Sequence, residues 1–268
     1  MPSRSGAPGD VAGLIPTDEV RRLVATDVAQ RTADSRTVLT GRLEVGRAPR
    51  ALVGAQIRCR ERGGDDLAST FTTTNSDPGS RTSLWVRWLA PEGSRPLDCG
   101  LYGHAALPPA VALQNLTVGR PTTQLSSRQV RSALELPLSE REVAPGTGTS
   151  LTSARVAVPA GSTRVEVLSG VQVSTFGDGD PRTPPTARGE VVTVIAGAAA
   201  PCTQSESWST SASATPVQHH VKWHGTAEHP VDASRCPEIT VSVGLRLQPQ
   251  GPVLVEGQRY SSVLVLFS

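Results

Sequence analysis

The chain has 268 residues, a formal charge of +2 and 37% hydrophobic residues, and is poor in aromatics. That length allows one large or two modest domains with lean cores. Lys222 is the only lysine, no run of either charge stands out, and no apolar run nears the ~20 residues that cross a bilayer, so neither a nucleic-acid partner nor membrane insertion is expected. The start, MPSRSGAPGDVAGL, lacks the apolar stretch of a signal peptide.

Strand signals run through the chain. PTDEVRRLVATDVAQRT is ambiguous: Thr17 could cap a helix with Val20, Leu23, Val24 and Val28 on one face, or Val20–Thr32 could be a strand. RTVLTGRLEVG sets Val38, Thr40, Arg42 and Glu44 against Leu39, Leu43 and Val45, the period-2 pattern of a half-buried strand. After the turn-like RAPR come ALVGAQIRC, TSLWVRWLAP and LDCGLYGHA, with SDPGS and PEGS as turns. Polar Leu116–Ser150 reads as a linker, with room for one short helix in SSRQVRSALE capped by Ser126 or Ser127. The second half adds SARVAVPAG, RVEVLSGVQVSTF, GEVVTVIAG, EITVSVGLRL, GPVLVEG and SSVLVLF. Short apolar runs parted by Gly, Pro, Asp and Ser clusters predict an all-β chain of sandwich type.

The four cysteines fall as two pairs, Cys59 with Cys99 and Cys202 with Cys236, one pair in each half. With no CxxC and no histidine in ligand spacing, they read as one disulfide per domain, formed in an oxidising compartment. A weak internal repeat supports two copies. Leu23–Val45 and Val165–Val194 each run strand, polar turn, then Gly, a charged residue, an apolar residue and, within the next three, Val, before reaching a cysteine. This repeat favours the strand reading of Val20–Thr32. The predicted organisation is an N-terminal β-sandwich over 17–115, a linker over 116–150 and a C-terminal β-sandwich over 151–268, related by divergent internal duplication.

GRLEVGRAPRALVGAQIRC followed by SLWVRWLAPEGSRPLDCGLYG resembles immunoglobulin-like sandwiches. The resemblance implies a strand cysteine joined to a second cysteine after a corner, with Trp85 or Trp88 as the core tryptophan. It departs at Leu97, where the tyrosine of a tyrosine corner would stand. The whole chain is also similar to a set of secreted actinobacterial two-domain β-sandwich proteins. The residues that carry this are the GxLxVG, IxC, RWL and CxLYG pattern of the first half, and His219–His220, Cys236, GPVLVEG and Tyr260–Ser261 of the second. That resemblance implies no activity and no cofactor.

Four of the five histidines lie in VQHHVKWHGTAEHP. His220, His224 and His229 are the candidate metal ligands. On a strand, His220 and His224 would lie about 13 Å apart. Zinc needs its ligand atoms about 2 Å from one centre, and Gly225 and Pro230 oppose a helix. Asp178 and Asp180 in FGDGDP lack the remaining ligands of a calcium loop, and Asn115 opens a formal glycosylation sequon. No GxSxG occurs. Trp85, His219 and Trp223 are the candidate surface-binding residues.

The sequence thus predicts a non-enzymatic, secreted or cell-surface protein. It would bind or assemble through protein–protein contacts, with protein partners and in a multi-subunit assembly. Two alternatives stand: a bacteriophage virion component of the tail or decoration type, and a metal-dependent hydrolase using the His219–His229 segment.

Overall fold

The structure, a computed structural model, describes residues 14–15, 21–28, 35–46, 51–64, 66–67, 71–75, 81–93, 95–106, 116–117, 122–175, 186–198, 202, 205–216, 218–257 and 260–268. Thr17, the RAPR and SDPGS turns, the sequon at Asn115, and Asp178 and Asp180 lie outside these residues. Among the described residues every regular element is a strand. The chain divides into two units. One comprises Met1–Ala33, Thr37–Gln129 and His220–Lys222; the other comprises Asp34–Arg36, Val130–His219 and Trp223–Ser268.

The first unit is built from β1 (Leu14–Ile15), β2 (Arg21–Val28), β3 (Arg36–Gly46), β4 (Leu52–Glu61), β5 (Asp66–Leu67), β6 (Phe71–Asn75), β7 (Arg81–Leu89), β8 (Leu97–Ala106), β9 (Leu116–Thr117) and β10 (Thr122–Val130). The ambiguous N-terminal segment is therefore a strand over Arg21–Val28. One sheet runs β2-β8-β4-β5, with β6 also on β4; a second runs β10-β3-β7; β1 and β9 form a ribbon. The alternation in β7 puts Thr82, Leu84, Val86 and Trp88 inside and Ser83, Trp85 and Arg87 outside. Leu39, Leu43, Leu84, Val86, Trp88 and Leu125 from one sheet pack with Val53, Ile57, Leu97 and Leu101 from the other. Trp88 is thus the core tryptophan.

Cys59 and Cys99 are bonded, and they are direct cross-strand partners on β4 and β8, with Cα atoms 4.1 Å apart. The bridge staples two strands of one sheet. It does not span two sheets, as the bridge of immunoglobulin domains does.

The second unit holds β11 (Ser132–Leu136), β12 (Arg141–Val143), β13 (Gly148–Ala157), β14 (Arg164–Ser174), β15 (Ala187–Gly197), β16 (Ser205–Ala214), β17 (His220–Pro230, whose first three residues count with the first unit), β18 (Glu238–Leu247), β19 (Val253–Val255) and β20 (Ser262–Phe267). One sheet runs β11-β20-β14-β19-β12, with β17 also on β14; the other runs β13-β18-β15-β16. β20 lies between β11 and β14 and is buried along its whole length, which is why SVLVLF reads as one apolar run without alternation. Cys202, between β15 and β16, bonds Cys236, between β17 and β18.

Three expectations need correction. SSRQVRSALE forms no helix: it supplies the end of β10 and most of β11, whose backbone completes the ladder of β20 from Ser132↔Phe267 to Leu136↔Val263. An unfilled sheet edge outweighs a weak helix cap. The segment expected as a linker is likewise strand-rich, and the division between units falls inside it, at Gln129 and Val130. The two units also do not repeat one topology. The chain changes sheet between β3 and β4, whereas β15 and β16 are neighbours in the same sheet. The two bridges sit at unlike places for the same reason.

The repeated glycine does have a shared physical role. A Cβ on Gly41 would lie 2.6 Å from Leu101 Cδ1, and one on Gly189 would lie 2.6 Å from the Arg246 carbonyl and 3.2 Å from the Trp223 ring. In each unit the glycine leaves room for a large side chain of the facing sheet. Gly189→Ala is expected to lower stability by about 1–3 kcal/mol, read as a lower urea midpoint. Gly148→Ala, where an added Cβ meets nothing within 4 Å, is the matched control and should leave the midpoint almost unchanged.

Candidate functional site

Strand β16, SESWSTSASA, carries two exposed faces. It pairs along its full length with β15, from Ala187↔Ala214 to Ala196↔Ser205, and with no other strand among the described residues. Among the described residues its far side therefore presents alternate backbone N–H and C=O groups without strand partners. Ser207, Ser209, Ser211 and Ser213 lie on one face. Glu206, Trp208, Thr210 and Ala212 lie on the other, opposite the inward-facing Ile195, Thr193, Val191 and Gly189 of β15.

At the start of β16 three side chains meet. His229 Nδ1 lies 3.3 Å from Glu206 Oε2, and the Trp208 ring meets the His229 ring edge-on at 6.2 Å and 71°. The pair is ionic only with His229 protonated, and Glu206 is half exposed, so the contact contributes little to stability. It orients Trp208 and ties the β16 edge to β17.

Beside this contact is a cavity of about 370 Å³. Ile195, Val231, Ile239 and the Cys202–Cys236 bridge supply its apolar lining, and His229, Asp232 and Arg235 its polar lining. Asp232 organises the turn beneath. Its Oδ1 accepts from the Ser234 hydroxyl (2.6 Å) and amide (2.9 Å), and its carbonyl accepts from the amides of Arg235 (3.1 Å) and Cys236 (2.7 Å). The Ser234 hydroxyl, then the Ser234 amide, hold the Asp232 carboxyl below its ordinary value. A depressed folded pKa adds stability above the unfolded value and loses it as pH falls through the folded one. The contribution of this carboxylate to the turn is therefore lost in acid.

The histidines do not converge. β17 is a strand, and its buried phase is Trp223, Gly225 and Ala227. His229 shares that phase, whereas His220 and His224 lie on the opposite one. The His220 amide donates to Asn75 Oδ1 (2.8 Å) within the first unit, and the His219 carbonyl accepts from the Thr175 amide (2.9 Å) within the second. Among the described residues no group of three or more His, Cys, Asp and Glu side chains is placed to hold a metal ion.

The tryptophans also differ from expectation. Trp223 is 1% exposed and belongs to the core, because its phase on β17 points it at Gly189. It is not a surface-binding residue. Trp85 is half buried, and Arg42 covers its ring at 4.9 Å from the centroid, with the Arg42 guanidinium also paired to Glu44. A ring face held by a cation in this way is not open to a partner. The GPVLVEG and Tyr260–Ser261 motifs serve a turn. The Gln172 amide donates to Ser261 Oγ (3.0 Å), the Glu256 amide donates to the Gln172 carbonyl (2.9 Å), and the Ser174 hydroxyl donates to the Glu256 carboxylate.

No family model and no curated protein matches the chain. Among solved structures, the VP2 subviral particle of infectious bursal disease virus aligns over 96% of this chain and 75% of its own at 9% identity, with a TM-score of 0.35. The tandem CBM22-1–CBM22-2 domain of Paenibacillus barcinonensis Xyn10C covers 100% of this chain and 97% of its own at 11% identity, with a TM-score of 0.26. The delta-endotoxin Cry8Ea1 of Bacillus thuringiensis covers 86% and 53% at 10% identity, with a TM-score of 0.27. These scores and identities are too low to bear on what the chain does.

The β16 edge is what sequence reading missed. A strand with both faces exposed has no apolar stripe, so its only signal is the Ser/Thr alternation around Trp208. The two bridges differ in access: Cys59 is 2% and Cys99 0% exposed, while Cys202 and Cys236 are half buried beside the cavity. Limited reductant under native conditions is therefore expected to open Cys202–Cys236 first. Alkylation and peptide mapping should label Cys202 and Cys236 well before Cys59 and Cys99. Simultaneous labelling of all four would contradict the access argument.

Proposed function

We propose that this chain is a non-enzymatic binding or assembly protein that works outside the reducing cytoplasm through protein–protein contacts. The observation that carries the reading is the open edge of β16. Natural sheets blunt their edges with Lys, Pro, bulges or covering loops. Ser205–Ala214 holds no Lys, Arg or Pro, and its one charge is Glu206. A ten-residue edge left in this state is suited to adding a strand from another chain. The two disulfides support an oxidising location, either the cell exterior or a virion. A binding role also fits the half-exposed Trp208 at one end of the edge, an aromatic anchor of the kind that concentrates interface energy.

A photo-crosslinking residue tests this. Placed at Ser209 on β16, it should form protein adducts in the native setting. At the exposed Glu142 of β12 it should form few. Equal adduct yields at the two positions would remove the β16 edge as the contact surface.

A further inference from the structure

We propose that the chain on which β16 acts is a second copy of itself, added antiparallel to β16 across a two-fold axis normal to the sheet. This rests on the assembly reading and names its partner.

Three observations carry it. The first is the contrast between the two edges of one sheet. β13, at the opposite edge, has a bulge between Ser150 and Thr152, and the Arg141 guanidinium donates to the Ser150 carbonyl at 2.9 Å. A bulge and a bound cation are recognised ways of blocking strand addition. β16 has neither among its described neighbours. With one edge blocked and one open, the sheet can add a strand on one side only. Pairing of like edges then closes a dimer, whereas unlike edges would build a filament.

The second observation is the charge register. In a continuous sheet, directly opposed residues share a face, so two-fold pairing must be centred on a residue. Centred on Ser209, Glu206 faces Ala212 of the other copy and Trp208 faces Thr210. Centred on Thr210, Glu206 faces Ala214 and Trp208 faces Ala212. Both registers oppose no like charges, and both place serine against serine on the other face. Third, the net charge of +2 on 268 residues sets little repulsion against a second copy.

One strand pair is a small interface, so the dimer is expected to be weak and concentration-dependent. Sedimentation velocity of the full chain, from micromolar to submillimolar, should show a monomer–dimer equilibrium. Ser209→Lys with Ser211→Lys puts lysine against lysine in either register and should weaken the dimer by more than about tenfold. Ser209→Glu with Ser211→Glu should do the same. An equimolar mixture of the two variants should restore association, which a misfolded variant could not do. A wild-type chain that stays at single-chain mass throughout overturns the proposal. So does a dimer indifferent to both variants. If the wild type stays single while Ser209 still photo-crosslinks to a different protein, the second-copy assignment falls and the assembly reading stands. If neither experiment depends on β16, both fall.

Discussion

A β-strand carries two rows of backbone hydrogen-bonding groups, and a sheet satisfies both rows only for its interior strands. In the second unit β18 and β15 are interior, paired on both sides over nine or more residues. β13 and β16 take the ends. What each end does with its spare row decides what the sheet can do. At β13 the row is broken by a bulge and met by Arg141. At β16 the described residues leave it open, and the site, its function and its partner are all read from that difference.

The remaining parts of the unit hold that edge in place. Val191 and Ile195 of β15 pack inward with Val241 and Val243 of β18, which fixes the strand beside β16. Gly189 lets the Trp223 ring come close, and Trp223 in turn sets the phase of β17. That phase brings His229 to Glu206 and Trp208. The Cys202–Cys236 bridge then fastens the loop leading into β16 to the loop leaving β17. A lean, aromatic-poor core gains from such bridges. Loops closed over 40 and 34 residues are each worth about 4 kcal/mol in the chain-entropy account.

The sequence was legible where one face of a strand is buried. RTVLTGRLEVG and TSLWVRWLAP alternate, and both are strands with the apolar phase inside. The cysteine pairing followed from one pair per half. It could not say that Cys59 and Cys99 face each other in one sheet, because that depends on how β4 and β8 pair across nearly forty residues. SSRQVRSALE was misread because its helix cap is local, while the edge of β20 that recruits it lies more than a hundred residues away. Trp223 stands between polar Lys222 and His224 in a histidine-rich stretch, yet period-2 geometry sends it to the opposite, buried side. β16 itself was illegible for the reason it matters: a strand that buries neither face leaves no hydrophobic period to find.

Residue-resolved amide hydrogen exchange along β16 in dilute solution tests the open edge most directly. The N–H groups that point to β15 should exchange slowly and those that point away should exchange fast, giving an alternating pattern from Ser205 to Ala214. Uniform protection along the strand at dilution would mean that another part of the chain already covers the edge, and would contradict the account.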